Sequence, residues 1–442
     1  MTVELILLAI AGAALLAVGL LWWRVPPLLI VLFAFAFVTR FKEGFQPEEI
    51  VFAGLYYGYI GYWFTSRLLD PTRQIVRTKS DLAILLFLIF APSTFAISYL
   101  SGADVKQWLS EWVIVSMFFV YFPAREHCET HPNGVRNIVL SLGWIAGLTL
   151  VRNLWSFVSE LQSATAIWQV ATARVPYNEH LLMFAGLGSI VWFSSARTTT
   201  TKIAAFIASG LFSFGVLIGQ SRAVWVSYAL GTLFIILMRT GRARRRIVTG
   251  ITMTVAVIVV AGLAIAPGTM RLLAVGLTSR VTSLENAVTN DLSLINRFHE
   301  NSAVIARIRE NPIVGHGMGT QYRYFSLVYE STYYTSFIHS WYVGFVFHFG
   351  LFGFVLFFPV YVHAIVRGSR NFLSSDVPRR VRLAGLVAAS ALVAEMLGAM
   401  TESTFGSSDK PLFVALLFAL AFTQVPGKRS HHHSPTRLLP AP

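Results

Sequence analysis

Apolar blocks of about 15 to 20 residues follow one another along the chain and are separated by short polar breaks, a length close to one helical membrane crossing. An outer-membrane barrel would instead show alternating strands of about ten residues. The pattern predicts an all-α fold, a polytopic membrane helical bundle of about 12 transmembrane helices (12 or 13). The blocks are Val3–Trp22, Val25–Val38, Ile50–Phe64, Leu82–Leu100, Trp112–Phe122, Ile138–Val158, Leu181–Ala196, Ile203–Gly219, Ala223–Met238, Ile247–Ala266, Phe337–Val366, Leu383–Met400 and Leu412–Val425.

Composition supports this interpretation and excludes several others. Of the 442 residues, 55% are hydrophobic and only 13% are charged, whereas about 25% are charged in soluble domains. Cys128 is the only cysteine, so neither a disulfide scaffold nor a thiolate metal cluster can form. A soluble enzyme and a disordered chain are excluded by the same composition.

The net charge of +14 is informative about the orientation of the chain in the membrane and does not indicate a nucleic-acid partner. The reason is that basic residues accumulate in the cytoplasmic loops of membrane proteins. Two arginine clusters, at residues 239–246 and 367–382, are therefore expected in the cytoplasm. This assignment places the hydrophilic segment 267–336 on the outer side of the membrane, opposite the cytoplasm. Whether the N-terminus lies inside or outside stays open, because it depends on a count of 12 or 13 spans.

Four regions follow from these assignments: an N-terminal transmembrane bundle (1–266), an external loop domain (267–336), C-terminal transmembrane helices (337–425) and a cytoplasmic basic tail (426–442). The loop is expected to contain short helices. One amphipathic helix is predicted from Asn296, with Val304, Ile305 and Ile308 on one side. It ends at Asn311-Pro312, and a glycine-rich turn and an aromatic stretch, residues 322–334, follow.

External arginines are the first candidates for chemistry. The loop 267–336 contains six arginines and no lysine, and a guanidinium binds phosphate bidentately and keeps its charge. Arg297 lies on the predicted loop helix, Arg222 in a very short external turn, and Arg174 in the preceding external loop. An anionic substrate such as a lipid phosphate or pyrophosphate would explain them. Contacts with lipid headgroups, or ion pairs with neighbouring acids such as Glu300, would explain them as well.

Histidine and carboxylate side chains near the same face are the second group. His339 lies at the external end of a span, where an imidazole can transfer protons near neutral pH, although a structural role is equally compatible with this position. Glu402 could orient His339. The turn around Gly317 could present N–H groups to an anion or simply stop the helix. Glu395 lies within a span and is a functional candidate by default. No metal-ligand spacing is present.

Three stretches of this sequence resemble the O-antigen ligase and polymerase family of bacterial surface-polysaccharide assembly. The first is Ser221–Trp225, and the second joins Asn296-Arg297 to the Asn311–Gly319 turn. The third is His339-Ser340 followed, after nine residues, by Gly350–Gly353. The resemblance covers residues 219–360, and the segment containing Arg174 is similar in place and character only. After Gly350 this sequence has Gly353, whereas many ligases have a Gly-Thr pair further along the chain.

The resemblance implies a GT-C-like, inverting O-antigen ligase of the bacterial inner membrane. Such an enzyme moves O-antigen polysaccharide from undecaprenyl pyrophosphate to lipid A-core among the membrane lipids, and it uses no cofactor and no metal. It implies that His339 is the general base on the acceptor hydroxyl. Arg222 and Arg297, with Arg174 as a third contact, would hold the pyrophosphate. It also places the active site in the periplasm, so that 267–336 becomes a periplasmic loop domain with substrate-binding helices.

Two alternatives remain open. A polysaccharide polymerase and a protein O-oligosaccharyltransferase would share the donor and differ in the acceptor. A proton-coupled secondary transporter would instead use Glu395 and His348 as a proton relay, which predicts charged or helix-breaking residues in paired halves of the bundle.

Overall fold

The structure is a computed structural model that describes residues 26–36, 38, 47–70, 72–163, 178–219, 221–265, 278, 292–400, 402 and 410–424. Helices dominate this part of the chain. They are α1 Pro27–Phe35, α2 Pro47–Leu68, α3 Lys79–Ser93, α4 Phe95–Leu100, α5 Val105–Ser116, α6 Tyr121–Thr130, α7 Gly134–Ser163, α8 Glu179–Ser195, α9 Thr199–Ile218, α10 Arg222–Met238, α11 Gly241–Ile265, α12 Leu292–Ile308, α13 Trp341–Leu373, α14 Arg379–Gly398 and α15 Lys410–Phe422. A short 3-10 helix, Met117–Val120, joins α5 to α6.

Several helices begin where a short polar side chain accepts a hydrogen bond from the first turn. Thr78 and Asp81 form a capping box at the start of α3, Thr198 caps α9, and Ser221 caps α10 by accepting from the Val224 N–H group. Such side chains satisfy N–H groups that have no partner inside the helix. The position of Arg222 is therefore set locally, as the first residue of a capped helix.

Helix α15 forms the centre of the bundle. All 13 of its residues are buried, and it packs against α6, α13 and α14. The ring of Phe418 contacts Phe118 and Tyr361, with centroid distances of 5.3 and 5.5 Å. A helix that is apolar on all sides belongs in an interior. This explains why α15, which corresponds to the predicted block Leu412–Val425, lies at the core of the bundle.

Five helical segments of the described residues are long and apolar enough to cross a membrane: Lys79–Leu100, Gly134–Glu160, Thr199–Ile218, Trp341–Leu373 and Arg379–Gly398. Shorter apolar helices are Arg222–Met238 and Lys410–Phe422. The chain is thus a polytopic helical membrane protein. The total of 12 or 13 spans, the GT-C-like relationship and the four region boundaries stay predictions.

Helix α13 is broken at Gly350, whose φ of 64° and ψ of −175° are not helical. The loop Pro312–Gly317 fills the break. His316 and Gly317 donate N–H groups to the carbonyls of Phe347 and His348, and the N–H groups of Leu351 and Phe352 donate to the carbonyls of Pro312 and Ile313. Backbone groups freed within a membrane bundle require such partners. The predicted block Phe337–Val366 is therefore two helical segments, beginning only at Trp341.

The aromatic stretch of the long loop forms a β-hairpin, an element that the sequence analysis did not predict. Strands β1, Tyr322–Ser326, and β2, Ser331–Thr335, pair antiparallel, with Tyr322 opposite Thr335. Tyrosine, phenylalanine and threonine are enriched in strands because they pack well on a pleated surface. Glu330, with φ 48°, lies in the turn.

The amphipathic loop helix is confirmed as α12. Val304 is fully buried and Ile308 partly buried, but Ile305 is 42% exposed. Residues four apart share a helix face, whereas the next residue is turned away by about 100°. The placement of Ile305 on the buried side was therefore wrong.

The two arginine clusters lie at the end of the bundle opposite His339. Arg239 donates to the Ser195 hydroxyl and Arg379 to the Ser195 carbonyl, so both clusters meet the C-terminal end of α8. Helices α10 and α13 start at the other end, which we call the His339 end. That the arginine end is cytoplasmic stays a prediction.

Candidate active site

His339 lies in the segment between β2 and α13 and pairs with a carboxylate that the loop helix supplies. Its Nδ1 is 2.8 Å from Glu300 Oε2, and its backbone N–H donates to the same oxygen over 3.3 Å. Glu300 is fully buried, whereas the His339 side chain is 36% exposed. The imidazole is thus fixed through Nδ1, while about a third of its side chain remains exposed.

Tyr322 of β1 completes this group. Its hydroxyl donates to Glu300 Oε1 over 2.7 Å and lies 2.9 Å from the Phe337 carbonyl. Burial raises the pKa of the Tyr322 phenol well above its ordinary value, and the charge of Glu300 raises it further. The phenol therefore stays protonated and acts as a donor. A buried carboxylate requires such partners, because desolvation without them is costly.

The hydrogen bonds to Glu300 assign the tautomer of His339. An ionised carboxylate only accepts hydrogen bonds, so the Nδ1 beside it carries the proton. In a neutral imidazole, Nε2 then holds the lone pair. An imidazole arranged in this way can accept a proton at Nε2, while Glu300 stabilises the resulting imidazolium. This is the geometry of a general base with a positioning carboxylate.

Arg297 lies on the same helix as Glu300, one turn earlier, and residues three apart are neighbours on a helix surface. Other loop arginines have different surroundings. Arg307 forms an exposed ion pair with Glu310, 2.5 Å between Nη1 and Oε2, and Arg323 lies over the Tyr334 ring at 5.9 Å. The alternative of ion pairing thus holds for Arg307, while Arg297 lies three residues before Glu300 on the same helix.

Arg222 reaches the same region through the end of α14. The Trp341 N–H group, two residues after His339, donates to the Ala399 carbonyl over 2.9 Å. Three residues further on, Glu402 Oε1 accepts from the Ser221 hydroxyl at 2.9 Å. The residues preceding Arg222 and following His339 therefore both contact the C-terminal end of α14, at the same end of the bundle.

Glu402 does not orient His339, because Glu300 occupies that place. Glu402 belongs to a separate buried group, in which its Oε2 lies 2.6 Å from His180 Nε2 and 3.2 Å from Lys410 Nζ. The other nitrogen of His180, Nδ1, is 2.5 Å from Glu395 Oε2. The expectation failed because helix α8, far away in sequence, brings His180 to Glu402.

The N–H groups of Gly317 and Gly319 already have partners within the chain and are not available to an anionic substrate, so this expectation is also corrected. The N–H group of Gly317 donates to the His348 carbonyl, and that of Gly319 donates to Glu111 Oε2 over 2.7 Å. A Cβ on Gly317, whose φ is 80°, would lie 2.1 Å from Ser98 Oγ. The turn instead fills the break in α13 and requires glycine because the backbones approach so closely.

The remaining candidates are Arg174 and the two residues of the hypothetical proton relay, His348 and Glu395. Arg174 lies outside the described residues. His348 Nδ1 donates to the Gly317 carbonyl at 3.0 Å, whereas Glu395 contacts His180, so the two members of the hypothetical proton relay have different partners. In the part of the chain that the structure describes, no group of three or more His, Cys, Asp or Glu side chains could hold a metal ion.

Glu300 and His180 are the residues that sequence reasoning missed as members of these sites. A signal for Glu300 was present, because it lies four residues before Val304 and thus on the buried face of the amphipathic helix. A carboxylate on a buried face requires a partner. For His180 no such signal exists, since it stands at the start of an apolar helix and both of its partners are more than 200 residues away.

Comparison with known families identifies one region of the chain. Residues 203–358 match the family model described as O-Antigen ligase. The match includes Arg222, Arg297, Glu300 and His339, and it ends before Glu402. No curated relative matches the chain.

Proposed function

We propose, from the match of residues 203–358 to the O-Antigen ligase family model, that the chain is an inverting, metal-independent O-antigen ligase. It would transfer O-antigen polysaccharide from undecaprenyl pyrophosphate to a sugar hydroxyl of lipid A-core. The observation that carries the proposal is the imidazole of His339, which buried Glu300 fixes through Nδ1 and whose side chain is 36% exposed.

In the proposed reaction, the acceptor hydroxyl donates its hydrogen bond to His339 Nε2. As the hydroxyl oxygen attacks the anomeric carbon, its proton moves to Nε2, and Glu300 stabilises the imidazolium. The bond between the anomeric carbon and the pyrophosphate oxygen breaks, and that oxygen keeps the electron pair. A sugar hydroxyl is weakly acidic, so a base within hydrogen-bond reach lowers the barrier.

The arginines would stabilise the leaving group. Charge develops on an already anionic pyrophosphate, and fixed guanidinium groups in a partly dry site can offset it without a metal ion. We assign this role to Arg222 and Arg297, which both lie within the residues that match the family model. Arg174 is a third candidate in the same role.

The substrates require a particular location. A polyprenyl pyrophosphate and a glycolipid acceptor both lie in a membrane, so we propose the bacterial inner membrane, with the His339 end of the bundle facing the periplasm. Segment 267–336 would then be a periplasmic domain whose helix α12 and hairpin border the donor and acceptor. The arginine clusters at the opposite end agree with a cytoplasmic location there.

The proposal is tested by complementing a ligase-null strain with this gene and analysing its lipopolysaccharide on gels. Lipid A-core capped with polysaccharide is the expected result. A changed chain length on an existing cap would identify a polymerase instead, and polysaccharide on protein would identify an oligosaccharyltransferase. The matched control is His339→Gln, which keeps a donor for Glu300 but has no basic nitrogen.

A purified assay tests the leaving-group arginines and the absence of a metal. Arg222→Lys keeps the charge but loses the planar fork, so transfer should fall by roughly 10²-fold, a loss typical of one transition-state donor. Addition of EDTA should leave the rate of the unmodified protein unchanged. A rate lost with EDTA and restored by Mg²⁺ would contradict the metal-free mechanism.

A further inference from the structure

A cavity of about 240 Å³ lies between α5 and the first segment of α13, beside the residues that precede His339. Its volume far exceeds the roughly 10–15 Å³ that one water molecule requires. The lining contains no residue of α10, α12 or α14, the helices that carry Arg222, Arg297 and Glu395. The helices that carry the candidate pyrophosphate arginines are therefore not among the elements that line the cavity.

The cavity has polar side chains on α5 and α13 with unused hydrogen-bonding capacity. Glu111 Oε2 accepts from the Gly319 N–H group, while Oε1 has no hydrogen-bond partner among the described residues. His348 Nδ1 donates to the Gly317 carbonyl, so in the neutral ring Nε2 is an acceptor. Ser110 also lines the cavity; its hydroxyl donates to the Gln107 carbonyl, and its oxygen can still accept. These groups favour a ligand that carries several hydroxyl donors.

Aromatic side chains form another part of the lining. Phe337, Trp341, Phe345 and Phe349 all border the cavity, and the Phe337 ring is also 5.0 Å from the His339 ring. A ligand with apolar C–H faces and polar edges matches this combination, since specific pockets join an apolar lining to a few well-placed polar groups. A sugar ring has both features.

We infer that this cavity is a binding subsite for one sugar ring of the acceptor saccharide, next to the ring whose hydroxyl reacts at His339. The inference rests on the proposed function for the identity of the acceptor. Inversion requires the nucleophile to approach opposite the leaving group, and the arginines assigned to pyrophosphate come from other helices. We therefore place the cavity on the acceptor side of His339, where Phe337 both lines the cavity and contacts the His339 ring.

The test measures binding directly, by titrating the purified full chain with lipid-free core oligosaccharide in a calorimeter. Ser110→Trp fills the cavity and should weaken binding at least tenfold, which corresponds to about 1.4 kcal/mol. Leu109→Trp is the matched control, because Leu109 lies on the same helix, is 42% exposed and does not line the cavity. It should bind as the unmodified chain does.

A second variant guards against misfolding of the first. Glu111→Gln keeps the size of the side chain and an oxygen for the Gly319 N–H group, and it should weaken oligosaccharide binding several-fold. Binding of polyprenyl-pyrophosphate-linked polysaccharide should be unchanged in both variants. Loss of donor binding alone would overturn the assignment to the acceptor, and unchanged binding of both ligands would overturn the subsite.

The outcomes separate this inference from the proposed function. If the unmodified chain transfers polysaccharide but Ser110→Trp keeps the same KM for the acceptor, the subsite is wrong and the function stands. If no transfer occurs, yet core oligosaccharide binds and Ser110→Trp abolishes binding, the cavity is a sugar site and the proposed function is wrong.

Discussion

Two histidine–glutamate centres lie at the same end of this bundle, and they differ in what happens to the second ring nitrogen. His339 pairs with Glu300 through Nδ1 and has a side chain that is 36% exposed. The His180 side chain is 5% exposed, with Nδ1 against Glu395 and Nε2 against Glu402. The first ring can exchange a proton with a ligand, whereas both nitrogens of the second are already occupied.

The difference indicates two separate roles for the same residue types. His180 and Lys410 offset the charges of Glu395 and Glu402, and these residues join the starts of α8 and α15 to the end of α14. The Ser221 hydroxyl adds the start of α10. Such a closed cluster fixes helix ends, including the one that begins with Arg222. The centre at His339 has an open side and is suited to chemistry.

The largest expected effect is on transfer by His339 variants. His339→Ala and His339→Gln should each lower the rate by about 10²–10⁴-fold, the usual contribution of a general base. The Gln variant should remain as stable as the unmodified protein, because its amide can still donate to Glu300. The measurement is transfer of lipid-linked polysaccharide to lipid A-core by purified protein. Full activity of either variant would remove the distinction between the centres.

The second effect should appear in stability rather than in chemistry. His180→Ala removes a partner from buried Glu395 and from partly buried Glu402, and breaking a buried ion pair typically costs about 3–5 kcal/mol. Thermal unfolding in detergent should therefore begin at a much lower temperature than for the unmodified protein or for His339→Gln. A His180→Ala protein with unchanged unfolding but no transfer would show that the buried cluster also takes part in the reaction.

A smaller effect separates positioning from proton transfer within the first centre. Glu300→Gln keeps the shape of the side chain but no longer stabilises the imidazolium, and a misplaced catalytic group costs on the order of 10²-fold. The loss should appear in kcat more than in KM, and the pH–rate profile should shift. If Glu300→Gln changes only the unfolding temperature, the carboxylate is structural and the two centres are alike.

The smallest effect is the pH dependence of the second centre. Burial raises the pKa of the Glu402 carboxyl, but the neighbouring His180 and Lys410 outweigh burial and hold it well below the ordinary value of 4.5. A lowered pKa stabilises the fold above the ordinary value, and this contribution is lost as the pH falls below it. The stability difference between the unmodified protein and Glu402→Gln should therefore shrink by about 1.4 kcal/mol per pH unit below that value. An equal difference at all pH values would contradict the ion pairing.

Much of the fold was predictable because its signals are local. Apolar blocks marked the helices, as with Leu383–Met400, which corresponds to α14, and the alternation of buried and polar positions after Asn296 marked α12. The β-hairpin was missed because its aromatic residues also fit an interfacial belt, and only pairing with a second strand distinguishes the two. The break at Gly350 was missed because its partners, at Pro312–Gly317, lie on another element.

The sequence by itself determined that the chain is a helical membrane protein, and it identified His339, Arg222 and Arg297 as candidates from residue type, position and family resemblance. Only the tertiary structure decided which carboxylate serves which histidine. Glu300 rather than Glu402 contacts His339, and Glu402 contacts His180 instead. Helix periodicity reports which face of a helix is buried, but the partner of a buried charge depends on how distant helices pack together.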